Sequence, residues 1–139
     1  MSDGHLTGRV ALVTGAAHRL GAATARQLHA AGADVAIHYN RSQVEAEALA
    51  EELEAKEHGR ARAFGCALEE TADLGPLVDS VAAAMGGLDI LVNNAARFYP
   101  TPLSEVTEAQ WDDLMATNLK APFFLAQAAF DHPRKTRPA

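Results

Sequence analysis

The chain has 139 residues, a net charge of −6 at neutral pH, and 48 % hydrophobic residues. One domain with an apolar core suits that length and composition, and the negative balance argues against nucleic acids and anionic membranes as partners. A single cysteine leaves no internal disulfide, the six scattered histidines show no zinc-ligand spacing, and no apolar run approaches a membrane span.

Met1 to Gly8 carry no apolar segment that would direct export, so the expected location is cytoplasmic. Beyond them the chain alternates β-prone and helix-prone segments. Strands are expected near residues 9–14, 34–39, 61–66 and 88–93, with helices near 20–31, 43–57 and 72–85 and a fourth helix beginning after Thr107. Such alternation predicts parallel strands joined by right-handed crossovers. In a doubly wound sheet the strand order would be 3-2-1-4.

The first strand, Val10 to Val13, runs into Thr14 and Gly15, and Gly21 opens the helix that follows. Strand, tight glycine turn and helix together form a phosphate-holding unit. Gly15 permits a turn that a Cβ would obstruct. The helix N-terminus offers unpaired N–H groups and the positive end of its dipole to an anion. Gly21 would let the first helical turn approach both the phosphates and the strand.

The second strand, from Asp34 to Tyr39, leads into Asn40, Arg41 and Ser42. In such units the end of strand two meets the adenosine ribose, where an acidic residue suits NAD. Here Asn40, Arg41 and Ser42 stand at that point, with Arg19 in the glycine loop. Two guanidiniums and short polar donors suit a 2′-phosphate, and the expected cofactor is NADP(H). One charge-assisted contact, about 1.5–3 kcal/mol, is enough to favour NADPH by about ten- to a hundredfold. Ser42 is also placed to cap the next helix. That helix carries Glu45, Glu47, Glu51, Glu52, Glu54 and Glu57. With Val44, Ala48, Leu49 and Leu53 as an apolar stripe, the carboxylates read as a solvated face and not a metal site.

The fourth strand ends in Asn93-Asn94-Ala95-Ala96. Together with Thr14-Gly15-x-x-x-Arg19-x-Gly21, this resembles the short-chain dehydrogenase/reductase family, whose loop reads T-G-x-x-x-G-x-G and whose fourth strand ends N-N-A-G. Arginine replaces the middle glycine and Ala96 the last one. The resemblance covers residues 8 to about 130. Arg19, the segment His38 to Ser42 and the segment Phe98 to Leu103 resemble the pteridine reductase branch. Arg19 and the segment Phe98 to Leu103 speak against the alternative enzyme type, a 3-oxoacyl-carrier-protein reductase.

The resemblance implies a Rossmann-type doubly wound parallel sheet and hydride transfer from NADPH to a C=N or C=O bond of a small molecule. Thr14, Gly15, Arg19 and Gly21 would hold the phosphates, with Leu20 covering them. Asn93 would stabilise the central sheet, and Asn93, Asn94 and Ala95 would line the cofactor. Ala67 stands where many relatives contact the adenine through an aspartate. Phe98 would stack on a pterin substrate, or alternatively plug the core. Pro122, four residues after Asn118, has no N–H for the Asn118 carbonyl and should kink the helix. In the family, that carbonyl holds a water connected to a catalytic lysine.

The family scheme also uses a serine on a fifth strand and a Tyr-x-x-x-Lys pair, with tyrosine as general acid. Only Tyr39 and Tyr99 occur here, followed four places on by Gln43 and Leu103. Asp131 to Ala139 contain two prolines and three Lys or Arg residues, which cannot form a buried central strand. Residues 1–130 are therefore expected to be a partial NADP(H)-binding domain, truncated after the fourth strand and fourth helix and inactive by itself, and 131–139 a disordered basic tail. Strand four would be an apolar edge open to a second copy or another chain. The helix face with Leu114, Phe123, Phe124 and Phe130 would lack a neighbour. A non-catalytic NADP(H)-binding or interaction module is the second reading.

Overall fold

The computed structural model describes residues 4–130 and 132. Four strands, β1 (Val10–Val13), β2 (Asp34–Tyr39), β3 (Ala61–Gly65) and β4 (Ile90–Val92), form one sheet in the order β3-β2-β1-β4. Every pairing is parallel. This is the expected doubly wound order, and it brings the ends of β1, β2 and β4 to one edge.

Helix α1 (Arg19–Ala30) follows β1, α2 (Gln43–Glu54) follows β2 and α3 (Thr71–Met85) follows β3. After β4 come α4 (Glu108–Met115), a π-helical turn (Ala116–Lys120) and α5 (Ala121–Phe130). The strand residues alternate between two cores, as the pleat requires. Val13, Val35 and Ile37 pack with Ala22 and Ala25 of α1 and Leu49 and Leu53 of α2. Val10, Leu12 and Ala36 pack on the other face with Leu74, Val78 and Val81 of α3 and Leu125 of α5. Both faces are covered, and for this reason β1 reads as an unbroken apolar run.

Helix α2 departs from expectation in two ways. It ends at Glu54 rather than residue 57, and its buried side consists of Ala46, Leu49, Ala50 and Leu53. Val44 is 77 % exposed and Ala48 is exposed too, because the face is chosen by contact with β2 and β3. The six glutamates are all exposed. Glu52 is held by Arg26 of α1 through two hydrogen bonds of 3.0 and 2.9 Å, which bring its carboxyl down to about 2.

Strand β4 is shorter than the expected 88–93 and only half buried, because its sole strand partner among the described residues is β1. Its start is secured by Asp89, whose Oδ2 accepts the Val10 N–H at 2.8 Å. Thr107 opens α4 with a capping box: its Oγ1 accepts the Gln110 N–H at 3.2 Å, and Gln110 Oε1 accepts the Thr107 N–H at 3.0 Å.

The expected single fourth helix is two segments. Pro122 provides no N–H to the turn before it, and that turn widens to π geometry, with the Ala121 N–H bonded to the Ala116 carbonyl. Helix α5 then lies on α3. Phe124 packs against the second core, and Leu114 is half buried. Phe123 and Phe130 point outward, 64 % and 88 % exposed. The basic tail expected over 131–139 falls, apart from His132, outside the described residues. No described helix is long and apolar enough to cross a membrane, and no cluster of described residues fits a metal ion.

Candidate dinucleotide site

Thr14, only 1 % exposed, fastens the end of β1 to the end of β4. Its Oγ1 accepts the N–H groups of Asn94 and Ala95 at 3.1 and 3.0 Å. In return, Asn94 Nδ2 donates to the carbonyls of Thr14 and Gly15 at 3.0 and 3.1 Å. Gly15 has φ +60, and a Cβ there would lie 3.0 Å from the Ala95 backbone. The loop from Gly15 to His18 then feeds α1. Its first three amides, those of Arg19, Leu20 and Gly21, precede the first intrahelical bond, Ala22 N–H to the His18 carbonyl. They are the donors a helix start offers an anion.

Gly21 is needed for close packing within the protein itself. A Cβ there would collide with the Gly15 carbonyl and sit 2.5 Å from Asn94 Nδ2, so the glycine closes the loop on itself. Arg19, in place of the family's glycine, has φ 49, a left-handed conformation that costs a side-chain-bearing residue about 1–2 kcal/mol.

A cavity of about 470 Å³ opens above this loop. It is bordered by Gly15, Arg19, Leu20 and Gly21 from the loop, Asn40, Arg41 and Ser42 after β2, and Asn94 and Ala95 after β4. Sequence-selected residues from three separate segments thus surround one space, with Thr14 bracing the wall. Arg19 and Arg41 make no ion pair with any described residue. Arg26, Arg60 and Arg97 each engage a carboxylate.

Several expectations need correction. Ser42 does not cap α2; no side-chain cap bond forms, and its Oγ lies 3.0 Å from His18 Nε2 across the cavity mouth. Asn93 does not line this cavity. Side chains alternate as the strand ends, so Asn94 turns to the β1 loop, while Asn93 borders a separate groove with Leu91, Ala126 and Ala129. Phe98 is no core plug: it is 87 % exposed and stands outside the cavity lining. The Asn118 side chain has partners of its own. Its Oδ1 accepts the Arg97 N–H at 2.8 Å and its Nδ2 donates to the Arg97 carbonyl at 2.7 Å. This clamp ties the π turn to the loop after β4, and the neighbouring Thr117 is what reaches the cavity.

Sequence reasoning passed over His38, His18, Glu69 and Arg97, all in the lining. His38 sits on the strand face opposite Ile37, and its polar character in an apolar run was the available signal. Arg97 spans Glu69, at 3.8 Å, and Asp113. The Tyr99 hydroxyl donates to Asp113 Oδ2 at 2.8 Å, which raises the tyrosine pKa and lowers the carboxyl. The Cys66 thiol, pushed up to about 11 by burial, is no nucleophile at neutral pH.

The chain matches the family described as short chain dehydrogenase over residues 9–137. It is 40 % identical, over 94 % of its length, to "(5R,7aS)-5-hydroxy-7a-methyl-1-oxo-2,3,5,6,7,7a-hexahydro-1H-indene-carboxyl-CoA reductase" of Mycobacterium tuberculosis, covering 50 % of that protein. Pteridine reductase 1 of Leishmania tarentolae is 36 % identical, with 94 % of this chain and 56 % of the relative aligned. Among solved structures, a short chain dehydrogenase from Burkholderia cenocepacia J2315 in complex with NADP superposes with a TM-score of 0.87 at 42 % identity, over 91 % of this chain and 51 % of the other. The chain spans about half the length of the curated relatives it matches. Glycine loop, sheet order and family match agree: the chain belongs to the short chain dehydrogenase family.

Proposed function

We propose that the cavity binds NADP(H), and that the chain is the cofactor-binding half of an NADPH-dependent reductase of pteridine reductase type. The observation that carries this reading is the pair Arg19 and Arg41, both bordering the cavity and both without a carboxylate partner among the described residues. Cations left unpaired where the adenosine ribose belongs suit a 2′-phosphate. The donor set fits as well: a glycine cradle that a Cβ would fill, and three helix-start amides above it. A relative of similar structure was solved with NADP, and pteridine reductase 1 is among the matching proteins.

When bound, NADPH supplies a hydride for a C=N or C=O bond. The chain's own residues would bind and orient. Thr14 and Asn94 hold the loop, the amides of Arg19, Leu20 and Gly21 meet phosphate, and Leu20, 72 % exposed, covers it. Phe98 would offer its exposed ring to a pterin. The Asn118 carbonyl, opposite Pro122, would hold a water for the proton relay. This sequence holds no Tyr-x-x-x-Lys pair, and absence of a general acid costs about 10²–10⁴ in rate, so the chain alone binds cofactor without turnover.

Calorimetric titration with NADPH and NADH tests the reading. NADPH should bind at least about tenfold more tightly, and Arg41→Ala should remove about that factor for NADPH while leaving NADH unchanged. Equal affinity for the two cofactors would refute it. Oxidation of NADPH by the purified chain in the presence of dihydrobiopterin would refute inactivity.

A further inference from the structure

We propose that His38 is a positioning residue that holds the glycine loop for the dinucleotide, and that cofactor binding requires its uncharged imidazole. The proposal rests on the reading of the cavity as an NADP(H) site. His38 is 1 % exposed and lies beneath the loop. Its Nδ1 accepts the Gly15 N–H at 3.0 Å, and its Nε2 lies 2.8 Å from the Cys66 carbonyl. A backbone amide can only donate and a carbonyl can only accept. Both contacts are satisfied together by one species alone, the neutral ring protonated on Nε2.

The bond ties a side chain of β2 to the residue where β1 turns into the loop. Ala16 N–H also bonds the His38 carbonyl at 2.9 Å, and Asn94 grips the Gly15 carbonyl from the other side. The Gly15 peptide is therefore fixed by inward contacts, which leaves the amides of Arg19, Leu20 and Gly21 to face the phosphates. A proton on Nδ1 would set two donors against each other at Gly15, and the loop would have to release the bond.

The ionisable groups that line the cavity together with His38 come from every neighbouring segment. His18 and Arg19 belong to the glycine loop, Tyr39 and Arg41 follow on β2 and after it, Glu69 stands after β3, and Arg97 after β4; Cys66 adjoins through its carbonyl. Burial is the largest influence and lowers the His38 pKa from its ordinary 6.5, with the Cys66 carbonyl opposing. The neutral ring therefore predominates at pH 7, and the effect appears on acidification.

The test is NADPH affinity of the full chain between pH 8 and pH 4.5, beside His38→Asn, with folding followed by circular dichroism. Wild-type Kd should rise about tenfold for each pH unit below the point where the imidazole takes up its proton. The variant should show only the rise due to the ligand's own 2′-phosphate, which titrates near about 6. Identical profiles in the two proteins would overturn the proposal. Nitrogen-15 NMR of the wild type supplies a readout independent of the variant. His38 should show an unprotonated Nδ1 at pH 8, and saturating NADPH should move its midpoint downward by linkage. A protonated Nδ1, or a midpoint that NADPH leaves in place, would overturn the proposal while the NADP(H) reading stands. Failure of NADPH to bind even at pH 8 would overturn both.

Discussion

Gly21 and His38 show how much of the site rests on single atoms. Gly21→Ala would drive a Cβ into the Gly15 carbonyl and against Asn94, both pinned by other bonds. We expect a loss of about 1–3 kcal/mol in stability from such overpacking and a weaker NADPH complex, measured by denaturant unfolding and calorimetry. His38 adds a pH term to the fold itself. Its folded pKa lies below the ordinary 6.5, so the unfolded chain takes up the proton first. Stability is complete above about 6.5 and declines as the pH falls toward the folded value. Alanine would have kept the strand; histidine keeps the loop as well.

Among the elements, the βα units were the most legible. Val10 to Val13 are four consecutive buried residues, and the glycine positions announce the turn that follows. The helix after Thr107 was only half legible. Its start is written in a capping box, and Thr107→Ala should cost about 1 kcal/mol in urea unfolding while leaving NADPH affinity unchanged, because α4 does not border the cavity. Its interior was not legible. Pro122 predicts a disturbance, but whether the chain kinks or widens into a π turn depends on how α5 meets α3. That same packing sets Asn118 against the Arg97 backbone. Periodicity also misjudged α2, where Val44 and Leu49 are equally apolar and only the approach of β2 and β3 selects which one is buried.

At the scale of the molecule, apolar groups on β4 and around α5 stay at least partly uncovered among the described residues. Strand β4 pairs on one side only among the described residues. Leu119, Phe123 and Phe130 are 60 %, 64 % and 88 % exposed. Surfaces of this kind drive association. We expect the purified chain to self-associate reversibly at micromolar concentration, and sedimentation velocity should show a concentration-dependent coefficient that Phe123→Ser reduces. A monodisperse monomer at all concentrations would contradict this.

The sequence by itself determined the strand order, the place of the glycine loop and the pair of cations set beside it. These depend on local chain properties: apolar runs that must be buried, glycines that alone fit a turn, and cations set at a known distance along the chain from it. Tertiary structure decided between residues that local chemistry leaves equivalent. Asn94 rather than Asn93 braces the loop, because alternation at the strand end turns only one of them toward β1. Ser42 faces His18 instead of capping α2, because the two meet only when the loop and β2 lie side by side. His38 looked like one polar residue in an apolar strand, and its partners, Gly15 and Cys66, lie 23 and 28 residues away along the chain. Contacts across such separations exist only after the sheet has formed, and no local pattern records them.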